Sequence, residues 1–241
     1  MRIAIISDIH GNIYAFQKVV KDLRKERIEH IIFLGDLVFL GLYPQECYDL
    51  LSTLNAQYCI KGNTDSNIEE LKDFIPVNEF EKYLYRMIEY TDNKINSNCK
   101  KEIKEWNISE KVNLLGRDIV FCHGSPYSFK DQLSENIEIP KELLKKINCE
   151  KVDTIFSGHT HKCENFKIGN TDIINFGPIG YSFNGDVFAH YGIAEIDKQI
   201  KYHFKSIDYN IEDYKKDIRK QKPLFMDNLL YTLENGIPQK Y

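Results

Sequence analysis

A chain of 241 residues, 42% hydrophobic and 28% charged, is long enough to bury a sizeable core and balanced like an ordinary globular protein. Its formal charge of -4 offers no basic face for nucleic acid or an anionic membrane, so an anionic substrate must be attracted by something other than net charge. The six cysteines are scattered without a CxxC pair and read as reduced thiols. The first apolar run, Ile3 to Ile6, is too short for a signal-peptide core, and no run approaches the ~18 apolar residues of a membrane span. The expected compartment is the cytoplasm.

Residues 2–7, RIAIIS, are short, apolar and isoleucine-rich, which predicts a buried strand. A helix follows, with Tyr14, Ala15, Phe16, Val19, Val20 and Leu23 recurring at three- and four-residue spacing. HIIFLGD is a second buried strand ending at Gly35-Asp36; Pro44 then opens a helix carrying Cys47, Leu50, Leu51 and Leu54. AQYCIKGN is a third strand ending at Gly62-Asn63, and the alternation of strand and helix predicts a largely parallel sheet. From about 66 to 115, the charged amphipathic segments NIEELKDFI, NEFEKYLYRMIEY and CKKEIKEWNISEKV read as a strandless helical insertion over one end of the sheet. Strands resume with DIVFCHG and DTIFSGHTH. ENFKI-GN-TDIINFGP carries a Gly-Asn hairpin signal, and HYGIAEIDKQIKYHFKSI reads as a further hairpin, so the second sheet is expected to be mixed. The tail, about 209–235, reads as helix broken near Pro223, and residues 1–241 as a single α/β domain.

The strands end alike: Asp8-Ile9-His10, Gly35-Asp36, Gly62-Asn63, His123-Gly124 and Gly158-His159-Thr160-His161. The carboxyl ends of strands in an open α/β sheet form one rim, where ligands bind. Two aspartates, four histidines and one asparagine are thereby delivered to one edge. Taken singly, a DxH, a lone histidine or a GD or GN dipeptide is usually a turn or a structural polar group. The ordered set, always at strand ends, favours metal. Oxygen and imidazole donors without cysteine suit Mn, Fe, Zn, Co or Ni. Two ions about 3.5–4 Å apart need a bridging carboxylate, for which the middle aspartate, Asp36, is the natural candidate. Such a pair clamps a phosphoryl oxygen, supplies hydroxide for in-line attack, and provides the positive charge that the chain otherwise lacks. His30, His190 and His203 fall outside the pattern and read as structural or surface residues.

D-x-H, GD, GN, H and GHxH in this order resemble the signature of the calcineurin-like metallophosphoesterases, and SDIHGN, HGSP and NFGPIG resemble a bacterial and archaeal branch of phosphodiesterases and phosphatases. The resemblance implies a four-layer αββα sandwich of two mixed sheets. It implies one metal on Asp8, His10, Asp36 and His161 and another on Asp36, Asn63, His123 and His159, with manganese the first choice and Fe, Zn, Ni or Co as alternatives. Asp36, Asn63 and His123 are the implied catalytic core, with Asn63 on the substrate phosphate and Asn12 and Thr64 as further substrate contacts. Two departures matter. Many relatives read GNH, whose histidine protonates the leaving group, whereas this chain reads GNTD; a threonine hydroxyl is a poor acid, so good leaving groups are expected to be preferred. NFGPIGYSFNGD also lacks the arginine often found at that loop.

The expected function is hydrolysis of a phosphomonoester or phosphodiester of a small, nucleotide-like substrate at two divalent ions. A dinucleoside polyphosphate hydrolase is the alternative, with Tyr83, Tyr85, Tyr90 and Trp106 stacking a base; plain helix packing competes for those aromatics. A non-catalytic scaffold on the same fold, as in a retromer subunit, is the alternative from another class, and a nuclease is disfavoured by the lack of a basic stripe. No membrane or long nucleic-acid partner is expected, and homo-oligomerisation is left open.

Overall fold

Alternate residues of the first strand enter different cores: Ile3 and Ile5 face one apolar cluster, Ala4 and Ile6 another. A strand buried on both faces has to lie between two layers. In the computed structural model, which describes residues 1–239, the elements run β1 (Arg2–Ile6), α1 (Ile13–Lys25), β2 (His30–Phe33), α2 (Pro44–Ser52), β3 (Tyr58–Cys59), α3 (Asn63–Glu70), α4 (Glu79–Asp92) and α5 (Ser97–Glu105). They continue with β4 (Ser109–Leu114), β5 (Arg117–Cys122), α6 (Lys141–Glu150), β6 (Thr154–Ser157), β7 (Cys163–Ile168), β8 (Thr171–Phe176), β9 (Ala189–Ile196), β10 (Ile200–Ile207), α7 (Ile211–Gln221) and α8 (Met226–Asn235).

Two five-stranded mixed sheets result, ordered β10-β9-β1-β2-β3 and β4-β5-β6-β8-β7. The first is parallel across β1, β2 and β3 and antiparallel at β9 and β10; the second is parallel across β5, β6 and β8, with antiparallel edges. Between the sheets pack Ile3, Ile5, Ile32, Phe121, Phe156 and Phe176, with Phe156 stacked on Phe121 and Phe176 at centroid distances of 5.7 and 5.9 Å. The helices α1, α2, α7 and α8 close the outer face of the first sheet through residues such as Phe16, Leu51, Tyr214 and Leu229. Leu143 and Ile147 of α6 close that of the second. Helix, sheet, sheet, helix is the expected four-layer order.

The stretch 66–115 departs from its reading. It contains α4, α5 and most of α3, but Ser109–Leu114 is a strand, not helix. Trp106 takes an extended backbone and packs edge-on against Phe33 at 5.6 Å, which stops α5. Residues 109–114 then alternate, pair with β5 (Val112 opposite Ile119), and turn back at Leu115-Gly116, where Asn113 accepts from the Gly116 amide. A charged edge strand of this kind resembles a helix in composition. Among the described residues no helix is long and apolar enough to cross a membrane, and all six cysteines are free.

Candidate metal centre

The loops following five strands meet at one edge and are stitched by backbone bonds. Asp8 donates its amide to Gly35 (2.9 Å), His10 to Asp36 (3.0 Å) and Gly158 to His123 (2.7 Å), while the Gly180 amide donates to the Asp8 carbonyl (2.8 Å). The turns are tight. Asp8, His10, Asp36, His159 and His161 sit at φ values of 53, 48, 61, 68 and 57°. Left-handed backbone is uncommon outside glycine, and Asp, Asn and His are the residues that tolerate it best; its concentration here marks a site that the surrounding structure over-determines. A Cβ at Gly62 would lie 2.0 Å from Asp36 Oδ1, so glycine is required where the third loop crosses the second.

The side chains converge. Ligand atoms of Asp8, His10, Asp36 and His161, all buried, lie within 4.8 Å of one another. His161 Nε2 is 3.5 Å from Asp8 Oδ1, and His10 Nε2 is 3.5 Å from Asp36 Oδ2. The same Asp36 oxygen is 3.4 Å from His123 Nε2, which is itself 3.0 Å from Asn63 Oδ1; the His159 ring lies 5.2 Å from that of His123. Asp36 therefore faces imidazoles on both sides. All seven candidate ligands reach one locus, with Asn63 and His159 half-buried at its rim.

The residues fit divalent cations on three observations. His10 and His161 each donate Nδ1 to a backbone carbonyl, of Phe39 and of Tyr181 (2.6 Å) respectively, which leaves lone pairs on both Nε2 atoms. Those two atoms are 2.9 Å apart, a separation at which the facing lone pairs must share a cation, whether a proton or a metal ion. Asp8 Oδ2 is buried without any hydrogen-bond partner, an expensive state for a carboxylate oxygen unless it ligates. The electrostatics agree. Burial pulls His161 down to about 4, keeping it a neutral ligand. Burial opposes charge on Asp36, yet His123, His10 and the Thr64 amide more than offset it and hold the carboxyl far below its ordinary range.

A family model described as "Calcineurin-like phosphoesterase superfamily domain" matches residues 1–199. The chain belongs to the calcineurin-like phosphoesterase superfamily. A metallophosphoesterase from Sphaerobacter thermophilus is 25% identical and superimposes with a TM-score of 0.74 over 98% of this chain and 99% of that one. A hypothetical protein from Pyrococcus horikoshii OT3, 17% identical, shares the fold with a TM-score of 0.80, covering 99% of both chains. An uncharacterized protein of Methanocaldococcus jannaschii is 27% identical over 95% of this chain and 97% of its own length.

In this member of the superfamily, two of the expected substrate contacts have their polar atoms engaged within the fold. Asn12 is fully buried and used up by structure: its Oδ1 caps α1 at the Ala15 amide, and its Nδ2 donates to the Gly180 carbonyl (2.8 Å) and the Tyr209 hydroxyl. Its side chain is sealed from solvent. Thr64 donates its hydroxyl to the Phe39 carbonyl (3.4 Å) and its amide to Asp36 Oδ1 (2.9 Å), so it braces the Asp36 carboxylate. Trp106 and Tyr90 are packing residues, Tyr90 against Phe225 at 5.2 Å.

Other contributors were not legible as ligands. Asp65 is buried and accepts from the amides of Asp36 (2.8 Å), Leu37 (2.9 Å) and Gly62 (3.0 Å), tying two ligand loops together. Its sequence signal is an acid three residues after the Gly62 N-cap of α3. The arginine-free loop supplies the Tyr181 carbonyl to His161 and stacks Phe183 on the same ring at 4.4 Å.

The titration of His123 gives a direct test. Burial alone would lower it, but Asp36 and Asp8 outweigh burial and push it up to about 9, so it is protonated at pH 7.5. A metal bound at Nε2 must displace that proton, and affinity should therefore rise with pH until about 9. Calorimetric titration of the metal-free protein at pH 7.5 in buffers of different ionisation heat should show about one proton fewer released in His123→Ala than in the wild type.

Proposed function

We propose that this protein is a dinuclear metal-dependent phosphoesterase acting on a small phosphorylated molecule, with one ion on Asp8, His10, Asp36 and His161 and the other on Asp36, Asn63, His123 and His159. The observation that carries the reading is Asp36 Oδ2, which lies 3.5 Å from His10 Nε2 and 3.4 Å from His123 Nε2 and so joins the two halves of the set. Divalent ions held there supply Lewis acidity, neutralising charge on a phosphoryl oxygen and lowering the pKa of water.

The chain's own groups do the rest. Asn63 opens α3, where its amide and the helix N-terminus both favour a phosphoryl oxygen. The carbonyls of Phe39, Leu34 and Tyr181 fix the orientation of His10, His123 and His161. Phe183 covers one face of His161 and keeps water from it. Thr64 provides no acid for the leaving group, because a threonine hydroxyl is too weak an acid at neutral pH.

The experiment is a screen of phosphomonoesters, diesters and dinucleotides with added Mn, Ni, Zn, Co or Fe, with His123→Ala as the negative control. Activity that depends on added metal and falls in His123→Ala supports the reading. p-Nitrophenyl esters are expected to turn over at least about tenfold faster than alkyl esters, the reach of a missing general acid at its low end; equal rates would show that another group protonates the leaving group. No bound metal and no activity with any ion would favour a scaffold on this fold.

A further inference from the structure

A cavity of about 430 Å³ opens between α3 and α4, lined by Asn67, Glu70, Asp73, Phe74, Leu84 and Ile88. None of the seven candidate ligands lines it, yet its lining residue Asn67 follows one of them, Asn63, by a single turn of α3. Asn63, Asn67 and Glu70 occupy positions i, i+4 and i+7 of α3 and share one face. The backbone turns on past Glu70, with the amides of Asp73 and Phe74 donating to the carbonyls of Glu70 and Leu71. Phe74 thereby continues the row. At a rise of ~1.5 Å per residue, Asn67 stands about 6 Å and Glu70 about 10 Å along the axis from Asn63. Helical side chains lean toward the N-terminus, here toward the metal centre. A phosphoester whose phosphate met Asn63 would run along this face of α3 toward Asn67 and the cavity.

The lining defines what fits. Phe74, Leu84 and Ile88 form an apolar floor, extended by the Tyr85 ring 6.1 Å from Phe74. The polar wall is an amide and two carboxylates, with no lysine or arginine. Neighbouring acids of the same segment are neutralised, Glu69 by Lys61 at 3.0 Å and Glu79 by Lys82 at 2.8 Å. Among the described residues, the side chains of Glu70 and Asp73 have no ion pair and that of Asn67 no hydrogen bond. Two unpaired carboxylates over an apolar floor attract a cation with a hydrophobic body and repel a second phosphate.

We propose that this cavity is the leaving-group subsite and that it takes an apolar, ring-sized group carrying a cationic amine. The assignment rests on the phosphoesterase reading above and counts against a dinucleoside polyphosphate, whose next group would be another anion.

The test uses the full-length, metal-loaded protein and three aryl phosphates of similar size: 4-(aminomethyl)phenyl, phenyl and 4-carboxyphenyl phosphate. kcat/KM should fall in that order, with the cationic ester about tenfold above the anionic one at low ionic strength, the sum expected from two exposed charge contacts. In Glu70→Gln/Asp73→Asn the ratio should shrink toward one. Both side chains are exposed, so the double variant keeps its fold. An equal or reversed order in the wild type, or a ratio unchanged in the variant, overturns the proposal. A second readout does not need catalysis: benzylamine, and not benzoate, should shift side-chain NMR signals of the cavity in the wild type and fail to do so in the double variant. Selective benzylamine binding without hydrolysis of any ester would uphold the cavity's assignment to cationic groups and overturn the phosphoesterase reading instead; absence of both would overturn both.

Discussion

Asp36→Asn is expected to lower phosphoester turnover by about three orders of magnitude or more and to reduce bound metal from two ions per chain to at most one. The substitution is nearly isosteric. Oδ1 can still accept from the Thr64 amide at 2.9 Å, so the local backbone need not move. What changes is the second oxygen, which lies between His10 and His123; as an amide nitrogen it donates and cannot ligate a cation. The bridging negative charge disappears with it. Several kcal/mol of transition-state stabilisation are at stake in a two-ion site, and about 4 kcal/mol corresponds to a thousandfold rate loss. Elemental analysis of the purified variant, together with rates on p-nitrophenyl phosphate at saturating metal, reads both effects. Near-wild-type turnover with two bound ions would remove Asp36 from the bridging position. Far-ultraviolet circular dichroism separates this outcome from unfolding, because the variant should keep its helix and strand signal.

The convergence of the candidate ligands was legible in their side-chain types. Asp8, His10, Asp36, Asn63, His123, His159 and His161 are residues with little packing value placed directly after apolar runs, and the structure brings all seven to one edge. The fold was legible for a related reason: β1, β2, β5 and β6 are buried on both faces and read as short apolar runs bounded by turns. Legibility failed where the function of a residue lies in its backbone or in a partner far along the chain. Tyr181 matters through its carbonyl, which no residue type advertises. Asn12 lies between a ligand motif and a helix, and its side chain went to the helix as a cap and to Gly180, a contact 168 positions away. Ser109–Leu114 carries two charges in six residues and becomes a strand only because β5 offers it an edge. α6 leaves only a faint trace in the sequence, although Pro140, Leu143 and Ile147 carry a short helical pattern, because its flanks are polar and its apolar stripe only two residues wide.

Asp65 shows how much of the candidate centre can depend on a residue outside the proposed ligand set. Its carboxylate stands where three buried amides point, those of Asp36, Leu37 and Gly62, and so locks the loop carrying the bridging aspartate to the start of the helix carrying Asn63. Burial, then the nearby charge of Asp36, push its carboxyl up to about 6, while the three amides pull it back down. Asp65→Ala leaves all three donors without an acceptor at ~1–3 kcal/mol each. The expected loss is about 3–6 kcal/mol in chemical denaturation of the metal-free protein, large against the total of a typical domain. Asp65→Asn should lose less. One amide oxygen can still accept from Asp36 and Gly62, which both bond Oδ2, and only the Leu37 amide then faces a nitrogen. The two variants together distinguish a brace from a surface acid: a surface carboxylate would give changes within about 0.5 kcal/mol for both. The same graded order should appear in metal affinity, because Asp36 and Asn63, as the proposed ligands, would stay in register only while their loops are joined. A metal-binding titration that leaves Asp65→Ala indistinguishable from the wild type would show that the two loops hold their geometry without it.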